Sequence, residues 1–341
     1  MGNMWRRRCI RLPDAFRALW VEKDGDFRCG FAEKTLEDLM EGELLIRVAY
    51  SSVNYKDGLA SIPGGNVVRR HPLIPGIDLA GTVVSSSDAR FREGDSVLAT
   101  GYDLGVSHHG GFAEYARIPA DWAVPLPAGL DARHAMALGT AGLTAAIALH
   151  RLEANGLTPE KGPVLVTGAT GGVGSIAVSM LAHLGYEVEA STGKESQHDF
   201  LRSLGAARVI SRSDVAPQTL RPLDKQRWAA AIDPVGGQTL AFALSSLHQG
   251  GSVALVGLTG GGSFQGTVFP FILRGCNLLG IDSAYIEMGV RRELWQRLAR
   301  DLRPPHLDEI AEEVAFRDLP DVLSRILKGG VRGRFVVSIA S

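Results

Sequence analysis

Val164-Leu165-Val166-Thr167-Gly168-Ala169-Thr170-Gly171-Gly172-Val173-Gly174 decides the fold. A short apolar run closed by a glycine turn reads as a buried strand, and the run from Gly172 to Leu184 reads as the helix that follows it. Working outward, Glu187-Val188-Glu189-Ala190 and Arg208-Val209-Ile210 are expected second and third strands. Ala229-Ala230-Ala231-Ile232-Asp233 and Ser252-Val253-Ala254-Leu255-Val256 are the fourth and fifth, with Leu278-Leu279-Gly280-Ile281 a candidate sixth. Strands alternating with helices in this way predict an α/β fold with a doubly wound parallel sheet, which binds dinucleotides.

Upstream the texture differs. From about residue 17 to 137 short strands are broken by Gly, Pro and Asp, as in Glu43-Leu44-Leu45-Ile46-Arg47-Val48 and Ser96-Val97-Leu98-Ala99. That spacing predicts a barrel-like β domain. An alanine-rich helix over Thr140 to Glu153 joins the two halves. Helical stretches near 290–300 and 318–328 precede a last strand, Arg334 to Ile339, expected to return to the β domain.

The 341 residues suit two domains, and 45% hydrophobic with 21% charged residues suits a soluble globular protein. A net charge of -1 gives no overall attraction to nucleic acid or an anionic membrane. No apolar stretch is read as reaching the roughly 20 residues that span a bilayer. Arg6, Arg7, Arg8, Arg11 and Arg17 make the N-terminus basic without the apolar core of a secretory signal. An arginine-rich, acid-poor start fits a transit peptide, and a frayed or artefactual extension ahead of the strand Arg17 to Val21 is the preferred reading. Cys9, Cys29 and Cys276, far apart, suit a reducing cytoplasm better than a disulfide framework.

The turn aligns with G-x-G-x-x-G as Ala169-x-Gly171-x-x-Gly174, with alanine at the first glycine. Gly171 lets backbone N–H groups approach a pyrophosphate, Gly174 lets the helix pack closely on the sheet, and Thr170, Gly172 and Val173 complete the cradle. A tight structural turn is the alternative. The next strand ends in Ser191-Thr192-Gly193-Lys194, where an NAD enzyme usually has a carboxylate for the ribose 2′-OH. Two hydroxyls and a cation suit a 2′-phosphate, and Arg212 adds charge or stacks on adenine. NADPH is therefore favoured over NADH. Glu189 is the contrary residue, although strand alternation sets it apart from the tip.

Several blocks, in order, resemble the medium-chain dehydrogenase/reductases. Pro75 to Val83, Arg92 to Val97 and Gly110 to Tyr115 resemble their catalytic domain. Ser51 to Asp57, Gly139-Thr140-Ala141-Gly142 and Pro270-Phe271-Ile272-Leu273-Arg274 resemble the zinc-free quinone oxidoreductase type, acrylyl-CoA reductase branch. The resemblance implies a GroES-like barrel over 17–138 and 276–341, a Rossmann-like NADPH domain over 139–275, and an extension at 1–16. It also implies a homodimer or higher assembly. Tyr55 and Thr140 then contact the cofactor, with backbone contacts from Gly257, Leu258 and the Ile272 and Ser283 regions.

Zinc-dependent relatives carry a cysteine in the segment Ser51 to Asp57 and Gly-His-Glu where this chain has Gly76-Ile77-Asp78. A catalytic zinc needs three such ligands, so a metal-free site is expected. Adjacent His108 and His109 read as a polar loop near the cleft. Without a metal, a simple ketone is hard to polarise, whereas hydride attack on an α,β-unsaturated carbonyl or thioester creates an enolate that hydrogen-bond donors can stabilise. Tyr55 and Asn54 are the catalytic candidates. The phenol can position the ring, stabilise the enolate or donate the proton, or only pack on the nicotinamide, with water as proton source. Asn54 and Asp57 also read as local loop structure. Arg69 and Arg70 are candidates for CoA phosphates, or a solvated pair. The expected reaction is NADPH-dependent reduction of acryloyl-CoA to propanoyl-CoA. The alternatives are a broad quinone or enone reductase and, remotely, a non-enzymatic NADPH- or RNA-binding protein.

Overall fold

The computed structural model describes residues 12–339. Arg6, Arg7, Arg8, Arg11 and Cys9 lie outside them.

Six parallel strands run in the spatial order Arg208–Ser211, Val188–Thr192, Val164–Val166, Trp228–Asp233, Leu247–Leu255 and Asn277–Gly280. In chain order this is 3-2-1-4-5-6, which reverses direction between Val164–Val166 and Trp228–Asp233. The crevice at such a switch point, outside the carboxyl ends of the strands, is where this topology binds ligands. Val164, Leu165 and Val166 are fully buried, as a strand covered by helices on both faces requires. Asn277–Gly280 is hydrogen-bonded into this sheet, beyond residue 275, where the expected division was drawn.

The second body is a seven-stranded sheet whose order is Ala311–Ala315, Arg334–Ser338, Leu44–Val53, Asp78–Ser86, Ser96–Thr100 and Val124–Pro125, with Tyr115–Ile118 also paired to Leu44–Val53. A hairpin, Phe16–Asp24 with Asp26–Lys34, lies on it. The last strand pairs antiparallel with Leu44–Val53, so the chain's end returns to the barrel.

The joining helix runs from Ala132 to Ala154, starting earlier than Thr140 because Asp131 caps it by accepting from the His134 N–H. Gly139 breaks it with φ 51°. This helix corrects one expectation: at 23 residues it is long and apolar enough to cross a membrane by length and composition. Its most apolar window is 83% buried within the protein, however, and it packs against both the barrel and the parallel sheet. It is the core helix of the molecule.

Candidate cofactor and active site

The glycine turn is built as a cradle. Gly168 has φ +53°, and the Gly171 N–H donates back to the Gly168 carbonyl at 2.9 Å. A Cβ on Gly174 would lie 2.5 Å from the Gly168 carbonyl oxygen, so only glycine lets helix Gly172–His183 sit this close to the strand. The first turn of that helix presents N–H groups without intrahelical partners, and the helix dipole makes the end attractive to an anion. Gly171 to Gly174 line a cleft of about 510 Å³ with Lys194, Arg212, Asn54 and Tyr55. It adjoins a cleft of about 410 Å³ lined by Ser191, Thr192, Gly193 and Val235. Thr170, Gly168, Arg212 and Thr259 line both, so the two form one groove along the carboxyl edge of the sheet.

At its far end Arg212 packs on Gly193, where a Cβ would come within 3.0 Å of the guanidinium. Lys194 is half-buried beside it. Burial first, and the Arg212 charge second, hold its ammonium below the usual lysine range. Glu189 takes no part in the groove. Its carboxylate accepts from Trp228 Nε1 at 3.0 Å and lies 3.4 Å from Arg208 and 3.6 Å from Arg227. Asp233 is the other buried acid near the turn, and its two oxygens accept from Thr167 Oγ1, the Val235 N–H and the Gly236 N–H. Among the described residues no carboxylate lines either cleft, which suits a groove that receives a phosphate.

On the barrel side Asn54 caps the short helix Tyr55–Ala60, accepting its Asp57 N–H while Asp57 Oδ2 accepts from the Asn54 N–H at 2.7 Å. Asn54 Nδ2 donates to Asp78 Oδ2 at 2.8 Å, and Asn54 Oδ1 accepts from Arg334 Nη1 at 2.9 Å. Asp78 is fully buried and also accepts from Ser52 Oγ at 2.6 Å and from Thr140. Arg334, 3.7 Å from Asp78, donates to Ser52 Oγ and the Val53 carbonyl as well. Gly139 sits against this knot: a Cβ there would be 2.6 Å from Asp78 Oδ2 and 2.7 Å from Arg334 Nη2. Asp57 is fully buried, and desolvation, reinforced by the Asp78 charge, pushes its carboxyl up to about 7. Above the knot Tyr55 is 48% exposed at the groove, and its hydroxyl has no partner among the described residues.

The remaining expected site residues divide. Gly257 and Leu258 follow the fifth strand and pack over Pro234 and Gly236 at the edge of the groove, next to the lining residue Thr259. Ser283 is held by its carbonyl, which with that of Ala284 accepts from the buried Arg291. Ile272 is 68% exposed on the short helix Phe269–Arg274 and lines neither cleft. Arg69 and Arg70 are exposed on a loop whose backbone bonds to Val106. His109 is a core residue: burial lowers it to about 4, and Nδ1 accepts from the Ile74 N–H. His108 bonds the Glu41 carbonyl rather than a ligand. Among the described residues no three His, Cys, Asp or Glu side chains are placed to hold a metal ion.

The chain matches two family models, the alcohol dehydrogenase GroES-like domain over residues 40–128 and zinc-binding dehydrogenase over residues 172–300. YhfP of Bacillus subtilis, named as a quinone oxidoreductase, is 57% identical over 95% of this chain and 99% of its own. Acrylyl-CoA reductase AcuI of Ruegeria pomeroyi is 50% identical over the same shares. The crystal structure of YhfP with NAD bound superimposes with a TM-score of 0.94, covering 96% of this chain and all of that one at 56% identity. That of the YhdH oxidoreductase from Salmonella enterica with NADP does so at 0.92, with 95% and 99% covered and 46% identity. With the barrel, the 3-2-1-4-5-6 sheet and the glycine cradle between them, these likenesses place the chain in the medium-chain dehydrogenase/reductase superfamily of oxidoreductases, in the group that holds YhfP and AcuI.

Proposed function

We propose that the protein uses NADPH to reduce an activated C=C bond, with acryloyl-CoA as the acceptor and propanoyl-CoA as the product. The observation that carries this reading is the continuity of the groove. One cleft joins the glycine cradle and the cations Lys194 and Arg212 to Asn54 and Tyr55. A pyrophosphate on the cradle sends one end of the dinucleotide toward Ser191 to Lys194 and the other toward Tyr55. The absence of a lining carboxylate and the presence of two cations favour the 2′-phosphate. The two similar crystal structures hold different cofactors, NAD in YhfP and NADP in the Salmonella YhdH oxidoreductase.

Bound dihydronicotinamide supplies a hydride. The acceptor's β-carbon would receive it, the π pair would move toward the thioester oxygen, and the α-carbon would take its proton from the Tyr55 hydroxyl or from water. On this reading Tyr55 acts on that charge, supported by its place in the groove lining and by a hydroxyl with no partner among the described residues. Asn54, engaged by Asp78 and Arg334, acts as a positioning residue that fixes the start of Tyr55's helix.

Deuteride at C4 of NADPH tests the chemistry. With both C4 hydrogens replaced by deuterium the label should appear on the β-carbon of propanoyl-CoA, and unlabelled product or none overturns it. A quinone reductase is the second reading, favoured by the name of YhfP. The same reading includes a cytoplasmic setting and a homodimer. Support for the dimer comes from the edge strand Asn277–Gly280 and from the exposed Val268, Ile272 and Leu273 shortly before it in the chain.

A further inference from the structure

The segment Lys328 to Gly333, between helix Leu319–Leu327 and the last strand, lines the groove as a strap along one wall. Gly329, Gly330 and Gly333 have φ of +71°, +80° and +63°, values that L side chains rarely adopt. Three contacts hold it to the parallel-sheet domain. Lys194 Nζ donates to the Val331 carbonyl at 2.6 Å, the Arg332 guanidinium lies 4.6 Å over the Phe200 ring, and the Gly333 N–H donates to the Thr170 carbonyl at 2.9 Å. The next residue is Arg334, which grips Asn54 beneath Tyr55. Three peptide bonds therefore connect the carbonyl held by Lys194 with the guanidinium that supports the proposed catalytic residue.

An ammonium has three donors. One is directed to Val331, which leaves two for an anion in the groove that Lys194 lines. We propose that Lys194 selects the cofactor in turnover as well as in binding. The 2′-phosphate of NADPH and the Val331 carbonyl share its ammonium, which fastens the strap and so holds Arg334, Asn54 and Tyr55 in register. NADH offers that ammonium no charged acceptor, so nothing in the groove fixes the Lys194 side chain, and the strap keeps only the Lys194–Val331 bond with the Arg332 and Gly333 contacts. The proposal rests on the NADPH reading above.

Hydrogen exchange on the full-length protein tests it, read over residues 327–333 with saturating NADPH and then saturating NADH. Exchange should be at least threefold slower with NADPH, and kcat at saturating cofactor, with whichever acceptor turns over fastest, at least threefold higher. In Lys194→Met, and in Lys194→Gln as a second variant, both differences should vanish. Equal exchange with the two cofactors in the wild type, faster exchange with NADPH, or differences that survive in both variants overturn the strap. Dissociation constants are measured separately. Equal affinity for NADPH and NADH overturns the cofactor reading itself, whatever the exchange at saturation shows.

Discussion

Trp228 Nε1 donates to Glu189 Oε2 at 3.0 Å and fixes the one carboxylate of strand Val188–Thr192 in a buried site outside the lining of the cofactor groove. The bond removes the strongest sequence argument for NADH. Glu189→Gln should therefore leave the ratio of kcat/KM for NADPH and NADH within about twofold of wild type. The same change should lower stability by roughly 1–3 kcal/mol, because a buried indole donor and two arginines lose a charged acceptor. Denaturant unfolding alongside cofactor kinetics checks both, and a large swing in cofactor preference would return Glu189 to the ribose site.

Lys194→Ala should raise the KM for NADPH at least tenfold and that for NADH less than about twofold, the size expected for one charged hydrogen bond. Steady-state titration of each cofactor reads it directly. Equal effects would remove Lys194 from the 2′-phosphate site.

Tyr55→Phe keeps the ring and deletes the hydroxyl. If the phenol acts on the developing enolate, kcat should fall by roughly tenfold to a hundredfold, with the KM for NADPH unchanged. An unchanged kcat leaves Tyr55 as a surface against which the nicotinamide packs.

Gly139→Ala should destabilise the fold by more than the roughly 1–3 kcal/mol of left-handed strain alone. The new methyl would meet Asp78, Arg334 and Ser52 inside 3 Å, and none of the three is free to move. Thermal unfolding measures the loss. A melting temperature equal to wild type would show that the knot at Asp78 is looser than its hydrogen bonds indicate.

Asp57 sets a pH dependence with a defined sign. Its carboxyl is raised in the fold, chiefly by desolvation and then by Asp78, to about 7 from an ordinary value of 3.8. The folded state therefore holds a proton that the unfolded state releases. This contribution is fully present below about pH 4 and is lost as pH rises through 7, with a slope of at most about 1.4 kcal/mol for each pH step. Urea unfolding of wild type and Asp57→Asn at pH 5 and pH 8 should show the wild type losing more stability than the variant across that interval. Equal losses would contradict a raised Asp57.

The strand–turn–helix at Val164 to Leu184 was legible because its information is local: an apolar run, glycines at fixed offsets, then a helix. Lys194 and Arg212 were legible for the same reason, each following a strand end by a few residues. The knot beneath Tyr55 was not. Arg334 and Asn54 stand 280 residues apart, and Asp78 lies inside a strand that reads as ordinary barrel. No periodicity relates them. The available signals were negative ones: a charged residue, Arg334, opening an otherwise apolar final strand, and a glycine, Gly139, inside an alanine-rich helix. Ile272, expected at the cofactor because of the Pro270 to Arg274 block, lies on an exposed helix instead. A sequence block carries no record of which face of a short helix meets a groove.

The most direct measurement is a comparison of kcat/KM for acryloyl-CoA, crotonyl-CoA and 1,4-benzoquinone, each with NADPH and with NADH. Acryloyl-CoA with NADPH should be the best pair, at least tenfold above either quinone pair and above acryloyl-CoA with NADH. Turnover of benzoquinone without turnover of either thioester, or equal rates with the two cofactors, would contradict it.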